Sequence, residues 1–359
     1  MKILVTGAAG FIGAAVIKRI LEADPLINNT ITGLDNINDY YSTQLKIERL
    51  ALLGINAPSD SPDSFPWNQR IPSDVYPQLS FIRLDICDFH DLLRLIEQEK
   101  FDIVINFAAQ AGVRYSIDHP KRYIKNNIDG FLNLLEACRH TKVKHLVYAS
   151  SSSVYGLNEK TPFSESDSTA HPVSLYAVTK RSNELMAHVY SHLYDLPVTG
   201  LRFFTVYGPW GRPDMSPYLF MDAILNHTPI KVFNGGEMLR DFTYIDDVAE
   251  AVRRIMTKIP TPDTEWDSEN PDPASSSAPY RIYNVGNSSP VNLLDYISCI
   301  ERHAGIVANK EMLPLQPGDV LSTYADSSAL YREIGFSPST SLDEGIARTV
   351  AWHTARRNS

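Results

Sequence analysis

Residues 2–23 read KILVTGAAGFIGAAVIKRILEA. An apolar run is followed by a turn bearing Gly7, Gly10 and Gly13, and then by apolar residues at helical spacing. Strand, glycine turn and amphipathic helix in that order open a βαβ unit. In such a unit one glycine allows the tight turn, one lets the backbone approach a pyrophosphate, and one lets helix pack on strand. The helix N-terminus offers free N–H groups and partial positive charge to the phosphates. Phe11 and Ile12, between the last two glycines, join Gly7, Gly10 and Gly13 as candidate cofactor contacts.

Working outward, TITGLDN (30–36) reads as a second strand ending in Asp35, about 20 residues beyond the last glycine. A carboxylate there accepts hydrogen bonds from both ribose hydroxyls and repels the extra phosphate of NADP. No arginine adjoins it in sequence, so the expected cofactor is NAD, with Asn36 beside the acid. LSFIRLDI (79–86) is a third strand, placing Asp85 and Ile86 at the adenine edge. FDIVINFAA (101–109) is a fourth, with Ala108, Ala109 and Gln110 along the cofactor's path. VKHLVYASS (143–151) and PVTGLRFFTVYGP (197–209) continue the series, with helices expected around 89–99, 120–140 and 174–195. Apolar strands alternating with helices indicate a parallel sheet covered on both faces.

The chain of 359 residues can bury a large core in two domains or one large one. It carries 33 basic against 42 acidic side chains and no long basic run, which argues against nucleic acid as the main partner. The three cysteines, Cys87, Cys138 and Cys299, have no metal-ligand spacing and build no disulfide framework, so no metal is expected. The first strand begins at Lys2, and no apolar stretch approaches the roughly 18–20 residues of a membrane span. A soluble, cytoplasmic protein without membrane partners is expected. Residues 54–80 and 261–279, rich in proline, serine and aspartate, read as surface insertions, the second one mobile.

Tyr176 and Lys180 stand at i and i+4 on one helix face. A tyrosine of pKa about 10 is a poor base at pH 7. An ammonium about 4 Å away, at an effective dielectric near 20, contributes about 4 kcal/mol toward ionising it. The tyrosine then can take a proton from a hydroxyl and return it. Ser150 to Ser153 end the strand that precedes this helix and line the same pocket with hydroxyls.

VTGAAGFIG, SSSSVYG, YAVTK and RDFTYIDD resemble the extended short-chain dehydrogenase/reductases of the nucleotide-sugar branch. LDNINDYY, NFAAQAGVRYSIDHP, HPVSLYAVTKRSNELMAH, LRFFTVYGPWGRPDM and EMLPLQPGDV are similar to the UDP-glucuronate 4-epimerases, over nearly the whole chain apart from the two insertions. The resemblance implies an α/β fold: a Rossmann-like doubly wound parallel sheet with a smaller α/β C-terminal substrate-binding domain. Residues 1–205 would form the NAD-binding part, to which the chain returns around 240–258, and 206–359 mainly the UDP-sugar part.

The implied reaction interconverts UDP-glucuronate and UDP-galacturonate. Tyr176 removes the proton from the carbon-4 hydroxyl, Ser151 hydrogen-bonds that oxygen, and Lys180 holds the nicotinamide ribose and keeps the tyrosine ionised. The flat 4-keto intermediate turns over and is reduced from its other face. NAD is regenerated each cycle and stays tightly bound. Related dehydratases carry Asp-Glu, and UDP-xylose synthases a Glu, where this chain has Ser152 and Ser153, so elimination lacks its acid. We expect Ser152, Ser153, Thr205 and Arg212 to grip the sugar carboxylate and hold it out of the geometry that loses carbon dioxide.

Arg240 resembles the family's diphosphate-binding arginine, and Asp319 its ribose or uracil contact. Gln316 stands where UDP-galactose 4-epimerases commonly have arginine, which leaves Arg281 as a candidate second cation. Asn127 is expected to order the active-site backbone or a relay water. In relatives the helices at 120–140 and 174–195 pair across a two-fold axis, which implies a homodimer. A 4-epimerase of a neutral UDP-hexose or UDP-N-acetylhexosamine, and a non-enzymatic NAD-binding sensor, are the competing readings.

Overall fold

The strands alternate with helices in the order the sequence announces. In a computed structural model that describes residues 1–23, 29–57, 59, 61–314 and 322–357, the main sheet contains eight strands. They are β1 (Lys2–Thr6), β2 (Thr30–Asp35), β3 (Arg70–Pro72), β4 (Leu79–Arg83), β5 (Ile103–Asn106), β6 (His145–Ser151), β7 (Val198–Phe203) and, later in the chain, Tyr280–Val285. A smaller set comprises β8 (Thr205–Tyr207), β9 (Ile230–Phe233), β10 (Leu239–Tyr244), β12 (Pro290–Asn292), β13 (Lys310–Leu313) and β14 (Ser322–Thr323), the main-sheet strand Tyr280–Val285 being β11.

The main sheet runs β11-β7-β6-β5-β1-β2-β4-β3, parallel except for β3, which is antiparallel to β4. From β1 the chain winds outward one way to β4, then crosses back and winds the other way from β5 to β11. The reversal between β1 and β5 opens a crevice at the strands' C-terminal ends, where such sheets bind ligands. Successive side chains explain the two covers: Ile3, Val5, Ile105 and Val147 enter one core, while Leu4, Val104 and Leu146 enter the other. On the first face lie α1 (Phe11–Ala23), α2 (Thr43–Leu52) and α9 (Ile245–Ile255). On the second lie α3 (Phe89–Glu99), α6 (Gly130–Thr141) and α7 (Leu175–Tyr194).

Short helices α4 (Tyr115–Asp118) and α5 (Pro120–Tyr123) precede α6. Beyond the main sheet come α8 (Ser216–Leu225), α10 (Leu293–Ala304), α11 (Ser328–Ile334) and α12 (Leu342–Arg357). In the smaller unit β10 is flanked by β12 and β14 and also pairs with β8, while β9 and β13 form a separate parallel ribbon.

Four local features differ from the sequence reading. The single strand expected over 197–209 is two: β7 ends at Phe203, and after Phe204 the chain enters the other sheet as β8. The helix expected over 120–140 is interrupted by a π-helical turn, Ile124–Asp129, between α5 and α6. The segment 54–80 is more than a surface insertion, because it supplies edge strand β3 and buries Ile55 and Phe65 completely. Arg83 of β4 clamps it by donating to the carbonyls of Pro62 (2.7 Å) and Phe65 (3.2 Å). The segment 261–279 is likewise anchored, with Ser276 buried and its hydroxyl 2.8 Å from His188 Nε2 on α7. Besides α9, which packs on α1, strand β11 also returns to the main sheet. Among the described residues no helix is long and apolar enough to cross a membrane.

Candidate active site

A cleft of about 560 Å³ follows the C-terminal ends of the main-sheet strands and ends against the smaller unit. Its first wall is the glycine turn. Gly7 has φ +72°, and a Cβ there would sit 2.8 Å from the Ala108 amide nitrogen at the exit of β5. A Cβ at Gly13 would collide with the Gly7 carbonyl oxygen. The turn can therefore lie flush between β1 and α1 only without side chains, which leaves a bare cradle for a pyrophosphate. Phe11, Ile12 and Gly10 line it as well.

Asp35 closes the cradle. Its Oδ2 accepts from the Ala9 N–H (3.1 Å) and its Oδ1 from the Ile37 N–H (2.8 Å). Each oxygen keeps acceptor capacity for a ribose hydroxyl. Asn36 donates to Asp85 (3.0 Å), joining the exits of β2 and β4, and Ile86 lines the same end. On the β5 side, Ala108 N–H donates to Thr6 Oγ1 (3.2 Å), and the Gln110 N–H donates to Asn127 Oδ1 (2.7 Å). The Asn127 amide group returns a bond to the Gln110 carbonyl (3.0 Å) and another to Thr179 Oγ1 (3.0 Å). The π-helical turn thus aims Asn127 inward to fix both the loop after β5 and the helix of Tyr176; such turns recur at functional sites. These residues, with Ala109, fit NAD: a side-chain-free phosphate cradle at one end of the crevice and an anchored ribose acid beyond it.

The serine run ends β6. The Ser150 hydroxyl donates to Glu184 (2.6 Å), which forms a fully buried bidentate pair with Arg202 (2.9 and 3.0 Å). Ser151 faces the cleft, accepts from the Ser153 N–H (3.2 Å) and donates to the Ser153 hydroxyl (3.1 Å). Ser152 lines the cleft beside them.

Tyr176 enters from the first turn of α7, whose N-cap is Ser174, accepting from the Ala177 N–H (3.1 Å). Lys180 lies one turn on, but its ammonium donates to the Ala149 carbonyl (2.8 Å) and stands 6.0 Å from the centre of the Tyr176 ring. Burial pushes the lysine down to about 8. Burial raises Tyr176, whereas the Arg212 charge and a hydrogen bond with Ser151 pull it down. Arg212 is thus a second cation, besides Lys180, whose charge favours the ionised tyrosine.

Beyond the serine run the cleft is lined by Thr205, the first residue of β8, and by Arg212. Arg212 is held side-on by Asp214, with Nε 3.0 Å from Oδ1 and Nη2 2.5 Å from Oδ2. The Tyr40 hydroxyl also donates to Asp214 (2.9 Å). Arg240 of β10 lines the cleft and is paired in register with Thr323 of β14. One candidate falls elsewhere. Arg281 is the second residue of β11, at the end of the strand opposite the cleft, where it faces Asp263 at 3.9 Å. Asp319, like Gln316, lies outside the described residues.

Several residues missed in the sequence line the cleft. Arg114, after β5, lies over the Phe233 ring (5.2 Å) and so reaches from the main sheet to the smaller unit. Lys46, buried on α2, donates to both Asn38 oxygens (2.7 and 2.8 Å); burial lowers its pKa, and nearby Asp35 opposes that shift. Lys46 and Arg49 share the apolar face of α2, where a reading by polarity places them in water.

Residues 3–286 match the NAD dependent epimerase/dehydratase family. The chain is 49% identical to Protein CapI of Staphylococcus aureus over 98% of both chains. It is 42% identical to a probable UDP-glucuronate 4-epimerase of Rhizobium meliloti, over 98% of this chain and 97% of that one. Among solved structures, the UDP-glucuronic acid 4-epimerase of Bacillus cereus, in complex with UDP-glucuronic acid and NAD, superposes with a TM-score of 0.81 at 32% identity, covering 99% of this chain and 100% of that one. Cradle, acid, Tyr-Lys helix and sequence likeness agree: the chain belongs to the NAD dependent epimerase/dehydratase family.

Proposed function

We propose that this protein is an NAD-dependent isomerase that interconverts UDP-glucuronate and UDP-galacturonate at carbon 4. One observation carries the reading: Ser151, Tyr176 and Lys180 share the cleft with two neutral serines, Ser152 and Ser153, and with a guanidinium, Arg212, at its sugar end. Relatives that bear the name UDP-glucuronate 4-epimerase match over nearly the whole chain.

The chemistry follows from these groups. NAD, when bound, accepts and returns the hydride of carbon 4. Tyr176 takes the proton of the carbon-4 hydroxyl and later gives it back, and Ser151 holds that oxygen in place. Arg212 and Lys180 together supply the positive potential that makes a buried tyrosine a base. Serines at 152 and 153 give no acid for elimination, so the 4-keto intermediate is left to turn over. Thr205 and Arg212, with those serines, hold the carboxylate. Asp214 has already fixed the guanidinium in orientation, so it meets the substrate at a set angle.

Arg240 and Arg114 bind the diphosphate from opposite sides, which replaces Arg281 in that role. Cofactor contacts fall to residues 1–205 and the UDP contacts mainly to 206–359. The protein acts in the cytoplasm, in keeping with its three free thiols. It works as a homodimer: α7 exposes Val178, Leu185, Val189 and Leu193 along one stripe beside Ile124 and Leu132, an apolar face suited to a second copy.

Purified protein incubated with UDP-glucuronate, without added NAD, should form UDP-galacturonate, resolved by chromatography of the two epimers. Conversion of UDP-glucose but not of UDP-glucuronate would refute the reading.

A further inference from the structure

Arg49 has no place in the chemistry above, yet it is fully buried on α2, between the two halves of the site. Its Nη1 donates to the carbonyl of Ala9, in the glycine turn (3.1 Å), and to the Tyr41 hydroxyl (2.7 Å). Its Nε and Nη2 both donate to the carbonyl of Trp210 (3.0 and 2.6 Å), and Nη2 also reaches the carbonyl of Gly211 (3.2 Å). None of these bonds goes to a carboxylate. A buried guanidinium satisfied only by neutral acceptors is costly to hold, so its position calls for a reason.

The partners supply one. Ala9 is fixed at both ends of its residue, because its N–H donates to Asp35 (3.1 Å) while its carbonyl is held by Arg49. On the other side, Trp210 and Gly211 immediately precede Arg212. Trp210 has φ +65°, a left-handed conformation that a tryptophan keeps only where its surroundings hold it. We infer that Arg49 is a positioning residue, a rigid strut that sets the loop of Arg212 at a fixed distance from the dinucleotide turn and so determines how the substrate carboxylate is held relative to carbon 4. The inference rests on the reading of Arg212 as the carboxylate's grip. A planar fork can engage both loops at once; an ammonium is a single point and must choose one.

The test compares Arg49→Lys with Arg212→Lys and the unaltered protein on UDP-glucuronate. The measurements are the ratio of decarboxylated UDP-4-keto-pentose to UDP-galacturonate and the NAD retained through purification. Arg49→Lys should keep most of its NAD and raise the ratio about tenfold, a change of roughly one order in relative barrier crossing. A merely structural loss would lower turnover and NAD together and leave the ratio alone, and that result overturns the strut. A raised ratio in Arg212→Lys with none in Arg49→Lys also overturns it while sparing the grip. No rise in either removes the grip, and the strut with it. If Arg49→Lys fails to fold, Tyr41→Phe removes one acceptor from Nη1 and keeps the charge. It should raise the ratio about two- to fivefold, as expected for the loss of a hydrogen bond of up to average net strength, and an unchanged ratio there refutes the proposal.

Discussion

Replacing Lys180 by methionine separates two roles that the lysine is expected to combine. Its ammonium stands 6.0 Å from the Tyr176 ring centre, which is taken as the separation of the two charges. Unit charges about 6 Å apart at an effective dielectric near 20 interact by about 2.8 kcal/mol, or about two pKa units. Tyr176 is partly open to the cleft, so water screens some of this, and a loss of about one to two units is the expected range. At pH 7 the variant should turn over about 10–100 times more slowly. The sign with pH is then fixed. Burial lowers Lys180 to about 8, so its charge is present below that pH and lost above it. The deficit of Lys180→Met should be full at pH 6–7 and shrink to within about threefold by pH 9.5, where the unaltered lysine is itself neutral. The assay is kcat for epimerisation from pH 6 to 9.5 with saturating UDP-glucuronate and NAD added to excess, so that cofactor loss is compensated. Parallel profiles with a constant ratio would refute the electrostatic argument and leave the lysine a purely positional role.

Three further outcomes follow from the same geometry. Glu184→Gln leaves Arg202 buried without its counter-charge and should cost about 3–5 kcal/mol. With 359 residues at about 2.1 cal/mol/K each, the unfolding entropy is about 0.75 kcal/mol/K, so calorimetry should show Tm lower by about 4–7 °C. Burial alone would raise the Glu184 carboxyl, but Arg202 and Ser150 overcome it and hold it below its usual range. Its contribution is therefore present above the unfolded value of about 4.3 and lost as pH falls through the folded one, so the Tm gap should narrow in acid. Arg114→Ala should raise KM for the UDP-sugar about 10–100-fold, the loss of a charge-assisted bond of about 1.5–3 kcal/mol, with the NAD content unchanged. Arg281→Ala, at the far end of β11, should leave KM within about twofold; a rise matching that of Arg114→Ala would return Arg281 to the diphosphate site.

The half of the site built on local sequence was legible before any coordinates. Gly7, Gly10 and Gly13 act within one turn, Asp35 follows at a strand end, and Tyr176 and Lys180 share a helix face. Spacing along the chain therefore fixes their geometry. What escaped depends on contacts between distant segments. Lys46 and Arg49 look like ordinary polar positions of a surface helix, and only the packing of α2 under the glycine turn buries them. Arg281 is a candidate in the sequence only because Gln316 stands where UDP-galactose 4-epimerases commonly have arginine; its place at the wrong end of a parallel strand becomes visible only once β11 is registered against β7. The π-helical turn was hidden for a different reason, since the one-residue offset that brings Asn127 inward leaves the apolar period on either side almost unchanged.

The break at Phe204 gives this layout a consequence. Ser151, Tyr176 and Lys180 belong to the main sheet and its α7, whereas Thr205 opens a strand paired with Phe242 of β10, two residues from Arg240. The contacts expected for the diphosphate and the carboxylate are thus shared between the two sheets, Thr205 and Arg240 coming from the small one and Arg114, Ser152 and Ser153 from the main one, whereas the proton-transfer groups belong to the main sheet alone. A 4-keto sugar that turns over while its UDP stays fixed moves against residues of both sheets. Arg49 and Arg114 both span the seam between them, one by hydrogen bonds and one by stacking on Phe233. Substitutions there should alter sugar acceptance and product partition while leaving the glycine cradle intact. Substitutions at Gly13 or Asp35 should do the reverse, losing cofactor without changing the preference among sugars in the molecules that retain it.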